Sequence, residues 1–107
     1  MAFIEVDDVN FEEVISEEFN KKQIVILKFG SELCDACIAQ DFELEELDDK
    51  YDNISVLEID CGDNEDLTDR YAITKVPTLV IYENENSVIW QKDGVILAQD
   101  IETIIGF

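Results

Sequence analysis

Apolar residues along this chain fall into short runs whose spacing alternates between that of strands and that of helices. Gln23 to Phe29 is apolar on both faces and rich in β-branched residues, which is typical of a central parallel strand covered by helices on each side. Helical spacing from about Asp35 to Tyr51 predicts a long helix. Its apolar positions are Ile38, Phe42, Leu44, Leu47 and Tyr51. Its predicted solvent-facing acids are Asp41, Glu43, Glu45, Glu46, Asp48 and Asp49.

The remaining runs predict further strands and helices. The strands cover residues 2–6, 54–60, 78–82 and 87–91, and the helices cover about ten residues after Asn10, residues 64–71 and residues 99–105. Asn10 with Glu13 resembles a capping box, since an asparagine side chain can accept hydrogen bonds from first-turn amides. The last helix is expected to bury Ile101, Ile104 and Ile105.

The predicted order of elements is β-α-β-α-β-α-β-β-α, which indicates an α/β fold. Alternating strands and helices imply right-handed parallel crossovers, and the late hairpin adds an antiparallel edge. We therefore expect a mixed central sheet with helices on both faces. The length of 107 residues fits a single domain over residues 1–107 and leaves little room for a second.

The charge balance narrows the partners this chain can have. It carries 27 acidic and 7 basic residues, a formal net charge of −20. Such a surface repels phosphate backbones and anionic membranes, so we expect neither nucleic-acid nor membrane binding. It favours basic protein partners, with a strong dependence on salt. The acids could instead serve solubility or adaptation to a salty environment.

Export signals are not evident. No segment approaches the roughly 18 consecutive apolar residues needed to span a bilayer. Residues 1–10 carry three acids and no base, the wrong chemistry for a secretory signal. The chain has three cysteines, Cys34, Cys37 and Cys61. An exported disulfide framework typically has an even number of cysteines, so this count does not suit one. The expected location is the cytoplasm.

Cysteine chemistry is the main functional signal. Cys34-Asp35-Ala36-Cys37 lies where the central strand gives way to the long helix. Helix N-terminal amides favour a thiolate at Cys34, which could attack a disulfide, and Cys37 one turn later could resolve the mixed disulfide. Two alternatives are a zinc site and a pair of buried thiols. Zinc would need four ligands, whereas the chain has no histidine and only Cys61 as a third sulfur.

A second motif, Ile73-Thr74-Lys75-Val76-Pro77-Thr78, leads into a predicted strand. Together with the cysteine pair, it makes the chain resemble the thioredoxin family over nearly its whole length. The residues that carry the resemblance are Leu27-Lys28-Phe29, Cys34-Asp35-Ala36-Cys37, Ile59-Asp60, Tyr71, Val76-Pro77-Thr78 and Gly94. The resemblance implies the thioredoxin fold, a cis Pro77 facing the cysteines, and main-chain contacts from Val76 to an extended client.

The departures from the family pattern are informative as well. Leu33 stands where familiar members have tryptophan before the first cysteine, and Asp35-Ala36 replaces Gly-Pro. A buried aspartate and a neighbouring lysine are replaced, with exchanged charges, by Lys28 and Glu58. Our hypothesis is that Glu58 accepts the proton of Cys37 with Lys28 as its counter-ion, although both long side chains could instead reach solvent.

These motifs define candidate roles for nine residues. Cys34, Cys37, Glu58 and Lys28 are the catalytic candidates, and the candidates for substrate contact are Leu33, Asp35, Val76, Pro77 and Gly94. A carboxylate at Asp35 disfavours a second negative charge on Cys34, which predicts a reductant rather than an oxidase. Cys61 is interpreted as a passive thiol and Trp90 as an aromatic packed on an edge strand.

The sequence therefore predicts a monomeric thiol–disulfide oxidoreductase that reduces protein disulfides. No separate cofactor is implied, because the electrons reside in the redox-active disulfide Cys34–Cys37. The expected partners are disulfide-containing client proteins and an upstream disulfide reductase. Two alternatives stay open: a redox-inactive binding module with an acidic interaction surface, and a metal-handling protein that uses the three cysteines.

Overall fold

Nine elements follow one another in the predicted order in the computed structural model, which describes residues 3–107. Ala2, which the sequence placed in the first strand, lies outside the described residues. The strands are β1 (Phe3–Glu5), β2 (Ile24–Gly30), β3 (Ile54–Asp60), β4 (Thr78–Asn84) and β5 (Ser87–Asp93). The helices are α1 (Phe11–Asn20), α2 (Asp35–Lys50), α3 (Glu65–Arg70) and α4 (Ala98–Ile105).

The strands form one mixed sheet in the order β1-β3-β2-β4-β5. β1 and β2 are both parallel to β3, whereas β4 is antiparallel to β2 and β5 is antiparallel to β4. The antiparallel part is thus wider than the hairpin alone. The end of β3 and the start of β4 lie at the same end of the sheet, because Asp60 pairs with Gly30 and Thr78 pairs with Phe29 of β2.

Helices cover both faces of the sheet, as predicted. Along β2, Val25, Leu27 and Phe29 belong to the core layer that includes Phe11 and Ile15 of α1 and Leu67 of α3. Ile26 belongs to the opposite layer, which includes Leu44 and Leu47 of α2 and Ile101 of α4. The alternation follows from the period of two in a strand. Packing on both faces therefore holds β2 in place, and β2 ends at Gly30, a few residues before the cysteine pair.

The predicted core face of α2 is wrong at two positions. Ile38 and Phe42 are 53% and 65% exposed, whereas Gln40 is fully buried. The Gln40 side chain donates to the Ile96 carbonyl at 3.0 Å and accepts from the Ile96 amide at 2.8 Å. Burial costs this amide little because both of its polar ends are paired with the segment before α4. Ile38 and Phe42 therefore lie on the solvent-facing side of α2.

The predicted capping box at α1 is also wrong. The Asn10 side chain makes no hydrogen bond to the first turn, because its Oδ1 accepts from the Asp7 amide at 2.8 Å. Asp7 in return accepts from the amides of Val9 and Asn10 at 2.9 and 2.8 Å. A local turn thus uses the groups that would have capped the helix.

The last helix buries less than predicted, since Ile101 is fully buried while Ile104 and Ile105 are only partly buried. Both lie in the last turn of α4. Across residues 3–107, no helix combines the length and apolar character that crossing a membrane requires.

Candidate active site

Cys34 and Cys37 form a disulfide at the start of α2, with their Cα atoms 5.2 Å apart. Cys34 is the N-cap residue and has an extended backbone, and its Sγ accepts a hydrogen bond from the Cys37 amide at 3.1 Å. An amide donor at a helix N-terminus favours a thiolate at this sulfur once the disulfide is reduced. The predicted proximity of the two sulfurs is confirmed.

The two cysteines differ in access. Cys34 is partly exposed, while Cys37 is only 2% exposed. Leu33 and Asp35 flank Cys34 and are both exposed, Leu33 completely so. An incoming molecule therefore meets the more exposed Cys34 first. This asymmetry suits an outer attacking sulfur and an inner resolving sulfur.

The loop before β4 reaches the same end of the sheet. The Val76–Pro77 peptide bond is cis, as the family resemblance implied. Thr78 directly follows Pro77 and pairs with Phe29, one residue before the end of β2. Because β4 is antiparallel to β2, its beginning lies beside the β2 terminus that leads to the cysteines.

Gly94 is tied to this loop. Its amide donates to the Pro77 carbonyl at 2.9 Å, and its φ of +95° lies in the left-handed region that glycine tolerates best. Val76 is partly buried, and Gly94 is exposed. Val76, Pro77 and Gly94 thus form one connected edge, which is where the sequence placed the substrate contacts.

A buried lysine lies behind the cysteines. Lys28 is 6% exposed, and its Nζ is 3.3 Å from Glu58 Oε2 and 3.0 Å from Asp41 Oδ1. Lys28 and Glu58 are in register on neighbouring parallel strands. The predicted Lys28–Glu58 contact is therefore confirmed, and the alternative in which Lys28 reaches solvent is wrong.

Asp41 is the member of this cluster that sequence reasoning missed, since it was counted among the solvent-facing acids of α2. The signal that could have found it is its spacing: Asp41 follows Cys37 by one helical turn, so the two share a face of the helix. We call Lys28, Asp41 and Glu58 the buried charge cluster.

Gly30 lets this cluster approach the resolving cysteine. A Cβ on Gly30 would stand 3.0 Å from Lys28 Nζ and 3.4 Å from Cys37 Sγ. The ammonium and the sulfur therefore border the same small space, and the absence of a side chain at Gly30 keeps it open.

Burial raises the pKa of the Glu58 carboxyl above its ordinary value. Lys28 opposes the shift, while Asp41 and Glu5 add to it as like charges. Because the folded pKa is the higher one, the folded chain holds this proton more tightly than the unfolded chain. The stability contributed by Glu58 is complete below its unfolded pKa and is lost as the pH rises through its folded pKa.

We expect the Glu58→Gln variant to lose that pH dependence. The unfolding free energy of the parent minus that of the variant should fall between about pH 4 and pH 7. The change should be modest, about 0.5 kcal/mol, because Glu58 keeps some solvent contact. Urea unfolding of both proteins across this range measures it, and a difference that stays constant or rises with pH would contradict the assignment.

A cleft of about 820 Å³ opens beside Cys37 and Lys28. The acidic residues that line it are Glu5, Asp7, Glu32, Asp41, Glu58, Asp60 and Asp63, and Lys28 is its one basic lining residue. Within the part of the chain that the structure describes, this side of the site carries a negative potential. It favours approach by basic molecules and disfavours anionic ones.

The remaining candidates take no part in this arrangement. Cys61 is a free, partly buried thiol whose amide donates to the Gly30 carbonyl at 2.9 Å. Among residues 3–107, no group of three or more potential ligands is placed to hold a metal ion. Trp90 lies on β5, at the edge of the sheet, and packs against the core layer of α2 and α4, which confirms its structural interpretation.

Comparison with known proteins adds independent information. Residues 2–106 match the family model described as Thioredoxin. Thioredoxin 2 of Plasmodium falciparum is 27% identical over 86 residues, which are 79% of this chain; the chain spans about half of that relative, 54% of its length. Thioredoxin of Bacillus subtilis is 28% identical over 108 residues, covering 100% of this chain and 86% of the relative.

Solved structures agree with the sequence match. A chain from the crystal structure of a complex of ferredoxin:thioredoxin reductase with thioredoxin f2 superposes with a TM-score of 0.82. It is 26% identical, and the superposition covers 98% of this chain and 93% of the other. Fold, sequence match and cysteine geometry therefore all point to one family.

Proposed function

The chain belongs to the thioredoxin family, and we propose that it is a thiol–disulfide oxidoreductase that reduces protein disulfides, with residues 1–107 acting as one domain. The observation that carries the proposal is the disulfide-linked cysteine pair at a helix N-terminus, in which Cys34 is partly exposed and Cys37 is buried. The redox-active disulfide is part of the protein itself, so the electrons need no separate carrier.

The reaction runs in two exchanges. In the reduced protein, the Cys34 thiolate attacks one sulfur of the client disulfide, the client S–S bond breaks, and the other client sulfur leaves as a thiolate that takes up a proton. Cys37 then loses its proton and attacks Cys34, which releases the second client thiol and closes the Cys34–Cys37 disulfide. Two electrons pass from the protein to the client. Because Cys34 reacts as a thiolate, one of the two protons that the client thiols take up comes from Cys37 and the other from water.

Glu58 accepts the proton of Cys37, and Lys28 serves as its counter-ion. Two observations support these roles: the two side chains contact each other, and Lys28 Nζ borders the same space as Cys37 Sγ. A carboxyl with a raised pKa is a better proton acceptor at neutral pH than an ordinary one.

The client binds along the exposed edge around Cys34. Leu33 and Asp35 contact the groups that flank the client disulfide, while Val76 and Gly94 offer main-chain contacts beside Pro77. The support is positional, since the Pro77 loop and the cysteine pair lie at the same end of β2 and β4. Extended peptides are commonly held by main-chain hydrogen bonds at such edges.

Turbidity from insulin reduction in the presence of dithiothreitol tests the proposed function. We expect the parent to accelerate the reaction and the Cys34→Ser variant to show only the background rate of dithiothreitol. No acceleration by the parent would favour the redox-inactive binding module instead. Stoichiometric zinc or iron in the purified protein would favour the metal-handling alternative.

Asp35→Gly should raise the reduction potential. The Asp35 carboxylate lies beside Cys34 and disfavours its thiolate, so the parent has a less stable reduced form and is a reductant. Asp35 is exposed, so the shift should be small, about 10–20 mV. Equilibration with glutathione measures it, and a downward shift would contradict the role assigned to Asp35.

The expected partners and location follow from the exchange reaction, the net charge and the cysteine count. An upstream disulfide reductase returns the electrons, which is in keeping with the reductase complex in which a similar chain was solved. The net charge of −20 favours basic clients and disfavours nucleic acids and anionic membranes. The protein acts as a monomer in the cytoplasm, where three cysteines of odd count suit a reducing environment.

A further inference from the structure

The buried charge cluster holds two carboxylates but only one ammonium. Asp41 Oδ1 lies 3.0 Å from Lys28 Nζ, closer than Glu58 Oε2 at 3.3 Å. In register on its other side, Glu58 faces Glu5 of β1. Glu58 therefore lies between a cation that it shares with Asp41 and a second carboxylate.

We propose that Asp41 is a positioning residue that neutralises Lys28 and thereby leaves the Glu58 carboxylate free to take the proton of Cys37. The proposal rests on the proposed function and adds a third participant to its proton step. If Glu58 were the only partner of Lys28, protonating it would leave a buried ammonium without a counter-charge, which is costly. With Asp41 in place, Glu58 can become neutral while Lys28 stays paired.

The proton step balances without any further reactant. The Cys37 thiol gives its proton to the Glu58 carboxylate, so the pair changes from a thiol and a carboxylate to a thiolate and a carboxylic acid. The thiolate then breaks the mixed disulfide, and the released client thiolate can take up a proton as Glu58 is ionised again. Asp41 and Lys28 keep their charges throughout.

Each group facing Glu58 makes a separate contribution. Lys28 on β2 favours its charged form, whereas Asp41 on α2 and Glu5 on β1 disfavour it. Cys37 adds a negative charge only after it loses its proton. Removing Asp41 should therefore make Glu58 the sole counter-ion of Lys28 and a weaker acceptor.

The test is the titration of the Glu58 carboxyl carbon by NMR in the reduced, full-length protein. We expect Asp41→Asn to lower its midpoint by about 1 pH unit and to slow the resolving step roughly threefold. Asp41→Glu, which keeps the carboxylate, should restore most of both values. Asp49→Asn is the matched control, because it removes the same charge from an exposed position of the same helix.

An unchanged or raised Glu58 midpoint in Asp41→Asn would overturn the proposal, as would an equal shift in Asp49→Asn. If Asp41→Asn does not fold, Asp41→Ser gives the second test. Loss of the carboxylate should again lower the Glu58 midpoint, and an unchanged or raised midpoint would overturn the proposal. If the parent reduces insulin but the Glu58 midpoint is the same in the parent and in Asp41→Asn, only this inference is refuted and the proposed function stands.

Discussion

Replacing Cys37 with serine should convert a transient mixed disulfide into a stable adduct on Cys34. Cys34 keeps its accessible position and the amide donor at the helix N-terminus, so the first exchange with a client still occurs. The resolving sulfur is gone, and a serine hydroxyl cannot take its place in disulfide exchange. Catalytic turnover should fall to background, while one client molecule per chain stays covalently bound.

Mass spectrometry after incubation with a disulfide-containing protein measures the adduct. Cys61→Ser is the control, since Cys61 lies outside the cysteine pair and its loss should leave turnover unchanged. A Cys37→Ser protein that still turns over, or an adduct mapped to Cys61, would contradict the assigned roles. Addition of a small thiol should release the client, because the adduct is an ordinary disulfide.

Phe29→Ala should lower the free energy of unfolding by about 3–5 kcal/mol. Phe29 is fully buried in β2, and its ring packs at 5.4 Å from the ring of Tyr71. The substitution removes apolar area from the core and leaves a cavity beside the strand that leads to the cysteines. Such a loss is a large share of the roughly 5–15 kcal/mol typical of a folded domain.

Phe42→Ala is the matched control, because it makes the same chemical change on a side chain that is 65% exposed. Its stability should change by no more than about 0.5 kcal/mol. Urea unfolding of both variants, each with the disulfide intact, gives the comparison. Similar losses in the two variants would contradict the outward orientation of Phe42 on α2.

Much of the fold follows from local patterns. The unbroken apolar run of β2 and the alternation of strands and helices were enough to predict the element order and the helices on both faces. The antiparallel pairing of β4 with β2 was not predicted, because the apolar pattern of a strand does not by itself fix its direction in the sheet.

Some residues of the site could likewise be predicted from the sequence, and others could not. The cysteine pair and Pro77 are visible as motifs, and family resemblance led to the contact between Lys28 and Glu58. Asp41 was missed because a charge on a helix usually faces water, and only the buried Lys28 draws it inward. Phe42 was predicted to be buried but is exposed, whereas Gln40 is fully buried. A polar side chain can be buried when hydrogen bonds pair both its donor and its acceptor, and those of Gln40 are paired with Ile96.

A redox titration of the cysteine pair tests the central claim most directly. The chain would be equilibrated in dithiol buffers of graded potential, its free thiols alkylated, and the labels counted by mass spectrometry. We predict one two-electron transition that involves only Cys34 and Cys37, with a midpoint below about −200 mV, in the range of reducing members of this class. Sulfurs that never link, or a midpoint near the −120 mV or so of a strong oxidant, would contradict the account.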